Sequence, residues 1–133
     1  MKYLFFLIFL VISCNTNKLQ KFDYNYSSNP WIQAFKDNFF YSSLKVAYKN
    51  DSTIFAKIES KDALNPYDGL DLEALIFIDS LSKKFVNDIP PPAMCEYCDN
   101  GENYFMAIIL HYYASKEFNN IARKQYKLSK SRK

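Results

Sequence analysis

The sequence predicts an all-α protein, a small bundle of about five helices that follows a signal peptide and a tether. Apolar residues recur at three- and four-residue spacing in several segments, and no alternating pattern exceeds four residues. Two glycines and five prolines are few turn formers for a many-stranded sandwich or barrel. Twelve Phe and eleven Tyr provide ample area for a helical core.

The amino-terminal segment predicts export and lipidation. The run from Tyr3 to Ile12 carries no charge and is too short to span a bilayer as a helix, which needs about twenty apolar residues. It has the length and flanks of a signal-peptide core. Val11-Ile12-Ser13-Cys14 resembles a lipobox, which makes Cys14 the expected lipidated residue. The alternative is an ordinary signal peptide that happens to contain a cysteine.

These features divide the chain into three parts. Residues 1–13 are the predicted signal peptide, and residues 14–28 form a polar tether without sustained periodicity. Residues 29–133 have the length of one helical domain. Because Asn15 rather than aspartate follows Cys14, we expect a periplasmic protein that its lipidated cysteine anchors in the outer membrane.

The first two helices have clear start signals. Asn29-Pro30 predicts a capped start, and the helix should run to about Asn50. Asp51 or Ser52 should cap a short second helix that fades around residues 62–64. The expected inward residues are Ile32, Phe35, Phe39, Phe40, Leu44, Val46 and Ala47 in the first helix and Ile54, Phe55 and Ile58 in the second.

The third helix should begin at Asn65-Pro66, unless Gly69 delays it to about Leu70. The expected inner stripe consists of Leu75, Ile78, Leu81 and Phe85. Ile76 and Phe77 lie beside this stripe, where they either widen the core face or belong to a subunit contact. Three consecutive prolines from Pro90 end the helix.

Two helices complete the domain. A fourth, from Asn103, carries Phe105, Ile108, Ile109 and Tyr112, and Ser115 can cap a fifth with Phe118, Ile121, Ala122 and Tyr126 inward. The cations at the end are interpreted as a solvated helix end and tail: Lys124, Lys127, Lys130, Arg132 and Lys133.

Charge is segregated along the chain. Residues 51–102 hold eleven acidic residues and four lysines, whereas residues from Asn103 onward hold seven basic residues and one glutamate. The acidic middle could face a basic protein partner. We expect no nucleic-acid partner, since an exported protein rarely meets nucleic acid.

The loop between the third and fourth helices contains Cys95-Glu96-Tyr97-Cys98. A zinc site needs four ligands, and His111 would be the only further one beside these thiols if Cys14 is lipidated. A redox pair should lie at a helix start, but Cys98 precedes it by several residues. A local disulfide between Cys95 and Cys98 is the favoured interpretation, because a periplasm is oxidising.

Other candidate chemistry is sparse. His111 could serve a Cys/His hydrolase, but no oxyanion motif accompanies it. Asp68, Asp71 and Glu73 could bind a metal, although carboxylates at a helix start explain them equally well. We therefore expect neither catalytic residues, nor a metal, nor a cofactor.

Two stretches resemble a known family. Met106 to Tyr126, with its aromatic pair Tyr112-Tyr113 followed by Ser115-Lys116-Glu117-Phe118, is similar to the carboxyl-terminal segment of the type VI secretion amidase immunity proteins of family 4. Phe35 to Asp51 is similar to that family's first helix. Where family members often have a cysteine and a histidine near the fourth helix end, this chain has Ile109 and Ala114.

The resemblance implies a helical domain, often a homodimer, that blocks a secreted cell-wall amidase of the NlpC/P60 type. In such a complex a protruding loop occludes the amidase cleft. The segment from Pro90 to Glu102 is the candidate for this loop, and its expected partner-binding residues are Glu96, Tyr97, Asp99, Asn100 and Glu102. For the segment itself, the alternative is that it only joins two helices. The alternatives are an accessory outer-membrane lipoprotein without catalytic activity and a thiol oxidoreductase that uses Cys95 and Cys98.

Overall fold

The computed structural model describes residues 29–61, 69–92 and 103–132, which form five helices and no strand. These are α1 (Pro30–Ala47), α2 (Ser52–Glu59), α3 (Leu72–Asn87), α4 (Phe105–Ala114) and α5 (Lys116–Ser131). The predicted all-α bundle of about five helices is therefore confirmed. No helix in the described ranges is long and apolar enough to cross a membrane.

Side-chain caps fix where four of the helices begin. Asn29 accepts a hydrogen bond from the Ile32 amide at 3.1 Å, and Asp51 accepts one from Thr53 at 2.8 Å. Ser115 ends α4 with an extended backbone and caps α5 by accepting from the Phe118 amide at 3.0 Å. Each cap satisfies an amide that the helix itself leaves unpaired.

Three predicted helix boundaries differ from the structure. α4 begins at Phe105 rather than Asn103. α1 ends at Ala47 rather than Asn50, because Lys49 and Asn50 adopt left-handed φ angles of 52° and 54° that turn the chain toward α2. α3 begins at Leu72 rather than at Asn65-Pro66 or Leu70. Gly69 has a φ of 83°, and Asp71 then caps α3 by accepting from the Ala74 amide at 2.8 Å.

The core lies where α1 meets α3 and α5. Phe39 is fully buried, and its ring lies 4.4 Å from that of Phe118 and 5.6 Å from that of Phe85. The central cluster consists of Phe35, Phe39, Ile78, Phe118 and Ala122. A second cluster of Leu44, Phe55 and Ile109 joins α1, α2 and α4. α1 is thus the central helix of the bundle.

The buried face of α3 differs from the predicted stripe. Ile78 is buried as expected, but the other buried residues are Ala74, Ser82 and Val86, while Leu75, Leu81 and Phe85 are only half-buried. Small side chains allow close packing against α1, where the Ser82 hydroxyl donates to the Phe39 carbonyl at 3.4 Å. The residues of α3 that lie closest to α1 are therefore mostly small, and most of the larger apolar side chains lie at the edge of this contact.

Ile76 and Phe77 are expected either to widen the core face or to belong to a subunit contact, and the two residues behave differently in the structure. Phe77 packs against the central cluster, with its ring 6.2 Å from that of Phe35, so it widens the core face. Ile76 remains 60% exposed.

Candidate functional site

The exposed side of α4 is apolar. The helix has ten residues and carries no Asp, Glu, Lys or Arg. Its solvent-facing residues, which we term the α4 face, are Met106, Ala107, Leu110, His111 and Ala114. Leu110 is 52% exposed and Met106 is 49% exposed. A contiguous uncharged surface of this kind is typical of a contact with another macromolecule.

The α4 face continues into a groove of about 430 Å³ between α1, α2 and α4. The groove is lined by Asp37, Phe40, Tyr41, Leu44, Ile58, Leu110 and Tyr113. Ile58 from α2 and Leu110 from α4 are themselves exposed, so apolar surface extends from the groove onto both flanking helices. The groove can accept an apolar side chain of a partner.

A hydrogen-bonded triad borders the groove on one side. The Tyr113 hydroxyl donates to the Asp37 carboxylate at 2.7 Å, and the Gln33 amide donates to Asp37 and to Tyr113, both at 2.8 Å. Burial, followed by the Asp37 hydrogen bond, raises the pKa of Tyr113 to about 12. Tyr113 is therefore a neutral donor, committed to Asp37.

Lys36 covers the same tyrosine. Its ammonium lies 4.3 Å from the centroid of the Tyr113 ring and donates to the Asn119 side chain at 2.9 Å. Burial lowers the pKa of Lys36, and the nearby Asp37 charge partly opposes that shift. The cation–π contact and the hydrogen bond fasten α1 to both α4 and α5.

A second polar group fastens α2 to α1. Glu59 accepts from the Tyr41 hydroxyl at 2.6 Å and from the Lys45 ammonium at 3.0 Å. These contacts, with the Tyr41 hydrogen bond first, lower the pKa of Glu59. Because Tyr41 and Ile58 line the groove, this group links its α1 and α2 walls.

The long loop begins and ends at one place beside α4. The Asn103 side-chain amide donates to the Pro90 carbonyl at 3.2 Å, which joins the two ends of the segment between α3 and α4. The next residue, Tyr104, is 57% exposed at this junction. The described structure therefore places the base of the loop next to the α4 face.

The predicted site residues of the loop and of the amino terminus lie outside the described residues, and their roles stay predictions. These residues are Cys14, Cys95, Glu96, Tyr97, Cys98, Asp99, Asn100 and Glu102.

The structure shows where the other candidate catalytic and metal-binding residues lie. His111 is exposed on the α4 face, Asp71 is the cap of α3, and Glu73 lies in its first turn. Asp71 and Glu73 are therefore helix-start carboxylates, whereas Asp68 lies outside the described residues. Within residues 29–61, 69–92 and 103–132, no three His, Cys, Asp or Glu residues could hold a metal ion together.

The sequence interpretation did not identify the α4 face or the groove. The available signal was the ten-residue run FMAIILHYYA, which contains more apolar residues than one buried side of a helix requires.

Comparisons of the chain with protein-family models, with curated proteins and with solved structures found no match. The resemblance to the amidase immunity proteins therefore rests on the residues quoted above.

Proposed function

We propose that this protein is a lipid-anchored periplasmic immunity protein that binds and inhibits a type VI secreted peptidoglycan amidase of the NlpC/P60 type. The observation that carries the proposal is the exposed, uncharged α4 face beside the joined ends of the loop. One continuous surface could thus combine an apolar contact with a loop that enters a cleft.

The two parts of this surface have different tasks. Loop residues Glu96, Tyr97 and Asp99 would enter the amidase cleft and exclude its substrate. Leu110 and Ile58 would pack against the cleft rim, where burial of apolar side chains supplies affinity. The helical support is held by the Glu59 and Asp37 contacts, so little ordering is needed when the partner binds.

The test uses the mature protein and any secreted amidase that a neighbouring gene encodes. Inhibition of peptidoglycan cleavage and the Kd of the complex are measured for the wild type and for Leu110→Glu. A charge buried in the apolar contact should weaken binding at least tenfold, on the order of the loss at interface anchors. Leu72→Glu is the matched control, because Leu72 is 69% exposed at the end of α3 remote from the loop base.

Three outcomes contradict the proposal. Equal inhibition by both variants would exclude the α4 face, and failure of the wild type to bind any neighbouring amidase would exclude immunity. Co-purification with envelope components, with a growth defect in the absence of any amidase, would instead support an accessory outer-membrane lipoprotein. Lipidation is tested separately, since Cys14→Ser should abolish incorporation of labelled palmitate.

A further inference from the structure

The cations of α5 are concentrated on one side of the helix. With about 100° of rotation per residue, four of them fall within a sector of about 60°. We term them the α5 stripe: Lys116, Arg123, Lys127 and Lys130. All four are exposed, whereas the only acidic residue of the helix, Glu117, lies outside this sector.

The α5 stripe borders a groove of about 540 Å³ between α5 and the first half of α1. Lys36, Arg123 and Lys127 line the groove, together with neutral groups that include Asn29, Asn119 and Tyr126. No Asp or Glu is among the lining residues. The groove shares no lining residue with the apolar groove, which Asp37, Phe40, Tyr41 and Leu44 of α1 line.

Two of the three cations that line this groove have no acidic partner within the described part of the fold, and the charge of the third, Lys36, is only partly offset by the nearby Asp37. There, Arg123 and Lys127 form no ion pair, and Lys36 donates to the neutral Asn119 side chain. Arg132, at the end of the same helix, instead lies 3.3 Å from Asp71. Unpaired cations on one side of a domain attract an anionic surface.

The chain segment that joins the domain to Cys14 indicates which anionic surface the cations would meet. Asn29 precedes the first residue of α1 and lines the basic groove. Cys14 lies fifteen residues earlier, so a lipid on it would keep the groove within about 50 Å of the bilayer even along a fully extended chain.

We propose that the basic groove and the α5 stripe dock onto the anionic phospholipid headgroups of the membrane that holds Cys14. Each cation near such a surface adds to the electrostatic attraction between the protein and the membrane. This attraction falls off within about one Debye length of the headgroups. Docking through the side of α1 that carries Asn29, Ile32 and Lys36 leaves the apolar groove free for the protein partner. The proposal rests on the lipidation of Cys14 in the proposed function, but not on the identity of the amidase.

The test uses the lipidated protein, purified from membranes and inserted into vesicles. Trp31 is the only tryptophan of the chain and lies against Tyr126 beside the groove, with 5.5 Å between the centroids of the two tilted rings. Energy transfer from Trp31 to a dansyl-labelled lipid reports how close the groove is to the bilayer. Vesicles of phosphatidylcholine are compared with vesicles containing roughly 30% phosphatidylglycerol.

We expect higher transfer in the anionic vesicles, and a fall to the neutral-vesicle value at about 1 M salt, where the Debye length is about 3 Å. Replacing Arg123, Lys127 and Lys130 by glutamine should lower the ratio of docked to undocked protein by about 100-fold. The matched control replaces Lys57, Lys61 and Lys84 by glutamine, which removes the same charge from exposed positions on other elements. This control should retain high transfer.

Equal transfer in the two vesicle types would overturn the proposal, as would equal losses in the two triple variants. Competition by millimolar inorganic phosphate at constant ionic strength would assign the groove to a free anion and also overturn it. Amidase inhibition in solution is measured on the same variants. It should be unchanged, so failure of membrane docking and failure of the immunity function are distinguishable.

Discussion

Ser129, near the end of α5, donates a hydrogen bond to the carboxylate of Asp71, the residue that caps the start of α3. Arg132 adds contacts of 3.3 Å to both oxygens of the same carboxylate. The Asp71 side chain thus accepts a hydrogen bond from a backbone amide in the first turn of α3. It also binds the end of α5, because Ser129 lies 58 residues further along the chain.

Removing the Asp71 carboxylate should destabilise the fold. Asp71→Ala loses a helix cap and the bonds to α5, and we expect the free energy of unfolding to fall by about 2 kcal/mol. Asp71→Asn retains a capping oxygen and should lose about half as much. Urea denaturation measures both changes. The control is Asp79→Ala, because its exposed pair with Lys83 contributes less than about 0.5 kcal/mol. Equal losses for Asp71→Ala and Asp79→Ala would contradict the role of Asp71.

The same contact should make stability depend on pH. The Ser129 hydrogen bond is the main cause that lowers the pKa of Asp71 from its ordinary value of 3.8, and burial partly opposes it. Since the folded-state pKa is lowered, the stabilisation is present above the unfolded-state value and disappears as pH falls through the folded-state value. The difference in unfolding free energy between the wild type and Asp71→Asn should therefore be constant near neutral pH. It should shrink below about pH 4, and a constant difference throughout would argue against the ionised contact.

Tyr113→Phe tests the triad beside the apolar groove. The variant keeps the ring but loses the hydroxyl, so we expect a loss of about 1 kcal/mol at neutral pH. Because the pKa of Tyr113 is raised to about 12, its stabilisation is present below its ordinary value of 10.0 and is lost as pH rises through 12. The wild type should thus lose its advantage over Tyr113→Phe in that window. Denaturation at several pH values checks this, with the exposed Tyr104→Phe as a control expected to change stability by less than about 0.5 kcal/mol.

Local signals predicted much of the fold. The sequence predicts Asn29 and Ser115 as caps and offers Asp51 as one of two candidates, because capping depends on amides only a few residues away. Phe35 and Phe118 were identified as core residues, because the helical period places an apolar stripe inward wherever the helix packs. The lipobox and the loop residues stay predictions.

The site was less predictable. The Tyr113–Asp37 contact joins residues 76 apart, and no sequence spacing specifies such a pair. Ser82 is fully buried although its side chain is polar, because α3 packs against α1 at this position and the hydroxyl donates to the Phe39 carbonyl there. The excess of apolar residues in α4 was visible, but which of them stay exposed depends on how much of that helix α1 and α5 cover.

The sequence by itself determined the helical class, most helix starts and the aromatic core, because these depend on interactions within one or two helical turns. Only the tertiary structure decided that the Asp71 carboxylate accepts a hydrogen bond from Ser129. The same holds for the exposed apolar face of α4 and for the groove at which Lys36 lies beside the cations of α5. Each of these depends on the relative placement of separate helices. That placement is set by how side chains of different volume fit together, which the order of residues along one helix does not reveal.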